Sequence, residues 1–148
     1  MRLSTRSRYG TRMMLDIAER YEKGPVQLGE IARRQHVSAK YLEQIIIPLK
    51  QANFVKSVRG AKGGHMLARP PQEITVAEIV SLLEGDHEIT ECAQNPDVCD
   101  LIESCPTRLV WKQAADAMYE RLGSITLYDL LQMERARHDK EGSDGPCP

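Results

Sequence analysis

Three cysteines, Cys92, Cys99 and Cys105, fall within a stretch that also holds Pro96 and Pro106. Six residues separate the first two and five separate the second pair. Thiols clustered in this way in a reducing compartment point to metal binding or redox chemistry rather than to structural disulfides. Thiolates are the expected ligands of iron-sulfur clusters, and a long loop can wrap a cluster whose iron atoms face different directions. Structural zinc more often shows a cysteine pair roughly two to four residues apart, which is absent. Spacing leaves three chemistries open: an iron-sulfur cluster, zinc, and reactive thiols or an intramolecular disulfide. A fourth ligand is usual. His87, Glu91, Asp97, Asp100, Glu103, the distant Cys147 or a residue of a second subunit could supply it, and a non-cysteine donor would leave the site labile.

A second group of side chains suits nucleic acid. If Leu42, Ile45, Ile46 and Leu49 form the inward face of a helix, Lys40, Gln44 and Ile47 lie opposite, with Tyr41 and Glu43 on the flanks. Gln44 can pair with adenine, Glu43 can accept from the cytosine amino group, and Lys40 can reach guanine or phosphate. A carboxylate near phosphates is repelled unless it finds such an amino donor, so Glu43 could select against sites lacking one. Arg59 and Lys62 stand beside Gly60 in a glycine-rich stretch, where backbone can approach DNA and an arginine suits a narrow minor groove. Arg2, Arg6 and Arg8 suit phosphate contacts, which position a protein without reading sequence. Tyr9 and Ser38 complete the DNA-facing set.

The elements that must position these residues follow from periodicity. Tyr9, Met13, Ile17 and Tyr21, with Met14 and Ala18 alongside, predict a helix over 9–21 that ends near Gly24-Pro25. Leu28, Ile31 and Ala32 predict a short second helix; Ser38 is a suitable N-cap for the third, which Pro48 should kink or bring near its end. Residues 54–58 and 65–67 read as strands around the turn 60–64. Thr75 and Glu78 form a capping box for a helix that Gly85 stops. Residues 86–106 lack apolar periodicity and read as a loop. Thr107 should cap a long helix carrying Val110, Trp111, Ala114, Ala117, Met118 and Leu122 up to Gly123, a suitable dimer helix; a last helix should follow Thr126.

Charge is split along the chain. Residues 1–70 hold 14 Lys and Arg against 5 Asp and Glu, and the remainder holds 6 against 16. A basic half favours a polyanion, so the split joins a nucleic-acid-binding portion to one with another task. Two short helices joined by a tight turn, followed by a two-stranded wing on the basic half, make a winged helix-turn-helix. Without the wing, a solvated helix face would be the better reading of Tyr41, Glu43 and Gln44. Charges interrupt every apolar run near the start, predicting no signal peptide or membrane span and a cytosolic location. No catalytic dyad, phosphate loop or cofactor fingerprint argues for an enzyme.

The sequence resembles the IscR-type iron-sulfur cluster regulators, a bacterial winged-helix family, from Met1 to about residue 135. The resemblance rests on Met1-Arg2-Leu3-Ser4 with Tyr9, on Tyr41-Leu42-Glu43-Gln44, on Ser57-Val58-Arg59-Gly60 with Gly63-Gly64, and on the three cysteines. It implies a homodimer on pseudo-palindromic double-stranded DNA operators, typically repressing genes of iron-sulfur cluster assembly or of related stress responses. It also implies that Glu43 discriminates between operator classes. The chain departs from the family at the fourth ligand: Arg108 stands where IscR has a histidine, and Arg8 stands where nitric-oxide-sensing relatives have an acidic residue. The first cysteine interval is one residue longer than is usual in IscR. A [2Fe-2S] cluster is favoured over [4Fe-4S] on Cys92, Cys99 and Cys105.

The expected molecule is therefore mainly helical with a small β-wing. It comprises a DNA-binding region (1–85), a cysteine-rich loop (86–106), a dimerisation helix with a C-terminal helix (107–136) and a flexible tail (137–148). The alternative is a cluster-free regulator of the same fold that senses through its thiols or a protein partner.

Overall fold

The computed structural model describes residues 3–85 and 89–141. Arg2, His87 and Cys147 lie outside the described residues.

Helix α1 (Thr5–Glu19) starts earlier than its apolar stripe suggests, because Ser4 caps it by accepting from the Ser7 backbone N–H at 3.1 Å. Its buried face carries Met13, Met14, Ile17 and Ala18. Helix α2 (Leu28–Gln35) ends at His36, which takes the left-handed conformation at φ 53° and turns the chain into helix α3 (Ala39–Gln51). Ser38 caps α3 as expected, accepting from the Tyr41 N–H at 3.2 Å. Pro48 sits in the last turn of α3, which ends three residues beyond it. Leu42, Ile45, Ile46 and Leu49 are all buried, and each contributes about 1.5–3 kcal/mol relative to an exposed position.

Strands β1 (Val55–Val58) and β2 (Gly64–Leu67) pair antiparallel, from Val55 opposite Leu67 to Val58 opposite Gly64. Strand β2 is pinned near the tip turn to the chain ahead of α2 by reciprocal backbone bonds between Val26 and His65 at 2.9 and 2.8 Å. A Cβ at Gly64 would stand 2.5 Å from the Val26 carbonyl oxygen, so glycine is what permits that pin. Helix α4 (Val76–Glu84) opens with the expected capping box, Thr75 N–H to Glu78 Oε2 at 2.8 Å and Glu78 N–H to Thr75 Oγ1 at 3.2 Å. Gly85 closes it at φ 83°.

The region between Gly85 and the long helix is not all loop. It contains the one-turn helix α5 (Glu91–Gln94) and a 3-10 turn at Pro96–Val98. Helix α6 (Pro106–Gly123) begins at a proline in its first position, with Cys105 rather than the expected Thr107 as N-cap. Proline fits that position because its missing N–H would be unsatisfied there in any case. Helix α7 (Leu127–Glu141) continues past residue 136, where the sequence suggests a tail.

One hydrophobic core joins α1, α2, α3, the wing, α4 and α7. Leu127 and Leu131 of α7 are buried in it alongside Met13 and Ile17. The start of α7 is tied to that of α4 by Val76 N–H to the Ile125 carbonyl (2.8 Å) and Leu127 N–H to the Ile74 carbonyl (2.9 Å). Helix α6 packs on α4 and buries only Ala115 fully. Its Leu109, Val110 and Trp111 are exposed.

Candidate nucleic-acid interface and cysteine segment

The α3 face opposite the core presents Lys40, Glu43, Gln44 and Ile47, all exposed. Tyr41 is half-buried and meets Tyr9 of α1 edge-on, with ring centroids 6.1 Å apart; the Arg12 guanidinium lies 5.4 Å from the Tyr9 ring centroid on the same helix. Tyr9 thus braces α1 against the start of α3. Ser38 is exposed at the start of α3, where its hydroxyl accepts from the Tyr41 N–H and keeps its own O–H as a donor. Arg6 and Arg8 are exposed in the first turn of α1.

At the wing tip Arg59, Gly60 and Lys62 are exposed. Gly63 N–H bonds the Gly60 carbonyl at 3.0 Å, closing a tight turn. A Cβ at Gly63 would collide with the Val58 carbonyl oxygen, whereas Gly60, at φ 112°, faces open space. The two glycines have separate duties: Gly63 lets the turn close, and Gly60 takes a backbone conformation that side chains rarely adopt.

Two polar assemblies that sequence reasoning missed hold this surface in place. Asp16 is buried in α1 and is gripped by the Arg34 guanidinium through both carboxylate oxygens, with Gln35 Nε2 donating at 3.2 Å. Gln35 in turn accepts from Arg12 Nε at 2.7 Å. The set fixes α2, the first helix of the helix-turn-helix pair, against α1. The hydrogen bond that Arg34 donates to Asp16 and the charges of Asp16 and Glu30 raise the Arg34 pKa against the opposing effect of burial. Glu84, the last residue of α4, accepts from the Ser4 N–H at 2.8 Å and so binds the N-terminus of α1. Burial opposes its ionisation, but hydrogen bonds from Ser7 and Ser4 outweigh it and hold the carboxyl below its ordinary pKa. The pattern Ser4-x-x-Ser7 could have signalled the start of α1; its partner 80 residues away had no local signal.

The three clustered cysteines are all free thiols. Cys92 lies on α5 and donates toward Thr90 Oγ1 at 3.4 Å; Cys99 is exposed after the 3-10 turn; Cys105 is half-buried at the N-cap of α6. Cys105 Sγ shares a hydrogen bond with Thr107 Oγ1 at 3.1 Å. That contact, with the Arg108 backbone N–H and the charge of Arg108, lowers the thiol below its ordinary pKa. Arg108 Nε also donates to the Cys92 carbonyl at 3.1 Å, tying α5 to the first turn of α6. Three soft thiols on one segment, one of them biased toward thiolate, fit an iron-sulfur cluster in the kind of donor they offer. Among the described residues no three His, Cys, Asp or Glu side chains converge as a metal site. Arg108 does not ligate: it carries a cation and a hydrogen bond where the resemblance implies a histidine ligand.

Among the described residues no helix is long and apolar enough to cross a membrane. The Rrf2 family, described as an iron-dependent transcriptional regulator, matches residues 3–133. Protein rrf2 of Nitratidesulfovibrio vulgaris is 44% identical over 132 residues, covering 89% of this chain and 88% of the relative. The solved structure of CymR, the global cysteine regulator of B. subtilis, superposes with a TM-score of 0.76 at 36% identity, covering 90% of this chain and 98% of that one. That of T. potens IscR superposes with a TM-score of 0.74 at 37% identity, covering 100% and 94%. These relatives are regulators rather than enzymes, and the winged-helix architecture is common to them. The chain belongs to the Rrf2 family of transcriptional regulators.

Proposed function

We propose that this regulator acts as a homodimer on double-stranded DNA operators, as a repressor of iron-sulfur cluster biogenesis or related stress genes, and that a cluster on Cys92, Cys99 and Cys105 sets its affinity. The observation that carries the reading is the position of the three free thiols. They occupy the segment that leaves the end of α4 and ends at the N-cap of α6, the helix whose outer apolar face is exposed.

In this reading Lys40, Glu43 and Gln44 enter the major groove, Arg59, Gly60 and Lys62 approach the minor groove, and Arg2 and Arg6 meet phosphates. Val110, Ala114 and Ala117 of α6 meet their counterparts on a second copy. When bound, the cluster supplies redox-sensitive ligation at the thiols. The chain's own part is to connect that segment to the DNA-binding core at one end, where Glu84 holds α1, and to α6 at the other, where Arg108 holds α5 against it. Ordering the segment therefore biases the angle of α6 and the separation of the two α3 helices. A coupling of about 1–3 kcal/mol suffices for a five- to hundredfold change in affinity. A [2Fe-2S] cluster is favoured over [4Fe-4S].

The thiol-sensing reading is favoured by the setting of Cys105, whose Sγ shares a hydrogen bond with Thr107 Oγ1 at the start of α6, in a chain that superposes on CymR. Purification without oxygen followed by iron, acid-labile sulfide and zinc analysis separates the two. We expect iron and sulfide in near-equal amounts, and operator affinity that changes in Cys92→Ala. A well-folded dimer carrying neither iron nor sulfide, or a Cys92→Ala protein with unchanged affinity for every operator, would overturn the cluster-dependent reading.

A further inference from the structure

Ile47 is 53% exposed on α3, although every other isoleucine or leucine of that helix is buried. Isolated apolar side chains are ordinary on protein surfaces. This one has an unusual place. It follows Glu43 and Gln44 by four and three residues, so it stacks on both along the helix, one turn beyond them. Lys40 precedes it by seven and Gln51 follows it by four, which puts Ile47 at the centre of an otherwise polar strip running opposite Leu42 and Leu49. A β-branched residue is no aid to helix stability at an exposed position, and Pro48 beside it has no N–H to offer a ligand.

We propose that Ile47 is a specificity residue that reads a thymine by its C5-methyl group in the major groove. The inference rests on the proposed entry of α3 into DNA. Ile47 lies about 5 Å along the helix axis from Gln44, which carries it one to two base pairs beyond the base that Gln44 reads. Thymine alone displays a methyl group on the major-groove edge. An isoleucine can bury that methyl but can neither donate to guanine N7 or O6 nor accept from the amino groups of cytosine and adenine. Each of those bases would lose water without gaining a partner, so the same side chain attracts thymine and penalises the rest. Glu43, accepting from a cytosine, and Ile47, covering a thymine, then divide the two pyrimidines between neighbouring turns of one helix.

The test begins by selecting bound duplexes from a random library with the full-length protein. Affinities are then measured for the selected duplex and for copies in which each thymine in turn is replaced by uracil, which removes only the methyl group. We expect one thymine per half-site whose replacement weakens wild-type binding about fourfold, no such difference for Ile47→Ala, and an intermediate one for Ile47→Val. Because the side chain is exposed, the variants keep the core intact. If the uracil effects are the same for wild type and Ile47→Ala at every position, the assignment is wrong while DNA reading by α3 stands. If the wild-type protein selects no sequence, α3 does not read DNA and the assignment falls with it.

Discussion

Glu84 makes a contact that links distant parts of the chain through one carboxylate. Its Oε1 accepts from Ser4 N–H, and the serine hydroxyls add to the hold, so the last residue of α4 supplies the first turn of α1 with an acceptor and a negative charge where the helix dipole favours one. The folded pKa is lowered, so the folded state keeps the carboxylate ionised to lower pH than the unfolded chain does. Its contribution is therefore fully present above the unfolded pKa and is lost as pH falls through the folded one. Glu84→Gln keeps the shape and removes the charge. We expect it to lower stability by about 1 kcal/mol near neutral pH and to converge on wild type once the pH falls below the lowered pKa of Glu84, measured as melting temperature against pH. None of this was legible in the sequence, because Ser4 and Glu84 are 80 positions apart and neither belongs to an apolar pattern. The burial of Asp16 was hidden for a related reason: an aspartate on a helix stripe reads as solvated until the arginine that grips it is known.

At the scale of elements, legibility followed capping and periodicity. Helix α2 was readable from its apolar repeat, and α3, α4 and the wing because a capping or turn residue marks each of them as well: Ser38 before α3, Thr75 and Gly85 around α4, glycines at the wing tip. The one-turn helix α5 buries no residue and is too short to express a period, so nothing in its composition distinguishes it from loop. Helix α7 outran its expected end because Arg135, Arg137 and Asp139 continue a helix without apolar partners. At α6, Pro106 was the better start signal than Thr107, whose hydroxyl is engaged with Cys105. In the proposed reading the cap of α3 also matters for binding, since it sets where the helix that would enter DNA begins. Ser38→Ala should cost about 1 kcal/mol of stability and weaken operator binding, with the loss at the reading helix visible as faster amide exchange in residues 39–42. Equal exchange in both proteins would show that the cap is redundant.

For the whole molecule, the informative asymmetry lies between the faces of α6. Ala115 packs inward on the α4 side, while Val110, Ala114 and Ala117 remain exposed on a helix of 18 residues. Small residues there would let a second α6 approach closely, and a dimer joins two reading helices whose avidity exceeds that of one by about a hundredfold or more. Ala114→Glu places like charges across that proposed seam. We expect a monomer by light scattering, unchanged helical content, and operator binding weaker by about a hundredfold; a dimer of unchanged mass would place the seam elsewhere.

The burial of Leu127 and Leu131 among residues of α1 bears on how the protein comes into being. A ribosome releases α1, α2, α3 and the wing long before it makes the helix that completes their core, and contacts across so much sequence form late. The thiol segment and α6 are synthesised between those two events. During translation, the surface that would read DNA is finished only after the parts that would govern it already exist, so an interrupted chain yields an unfinished core rather than a regulator that ignores its signal.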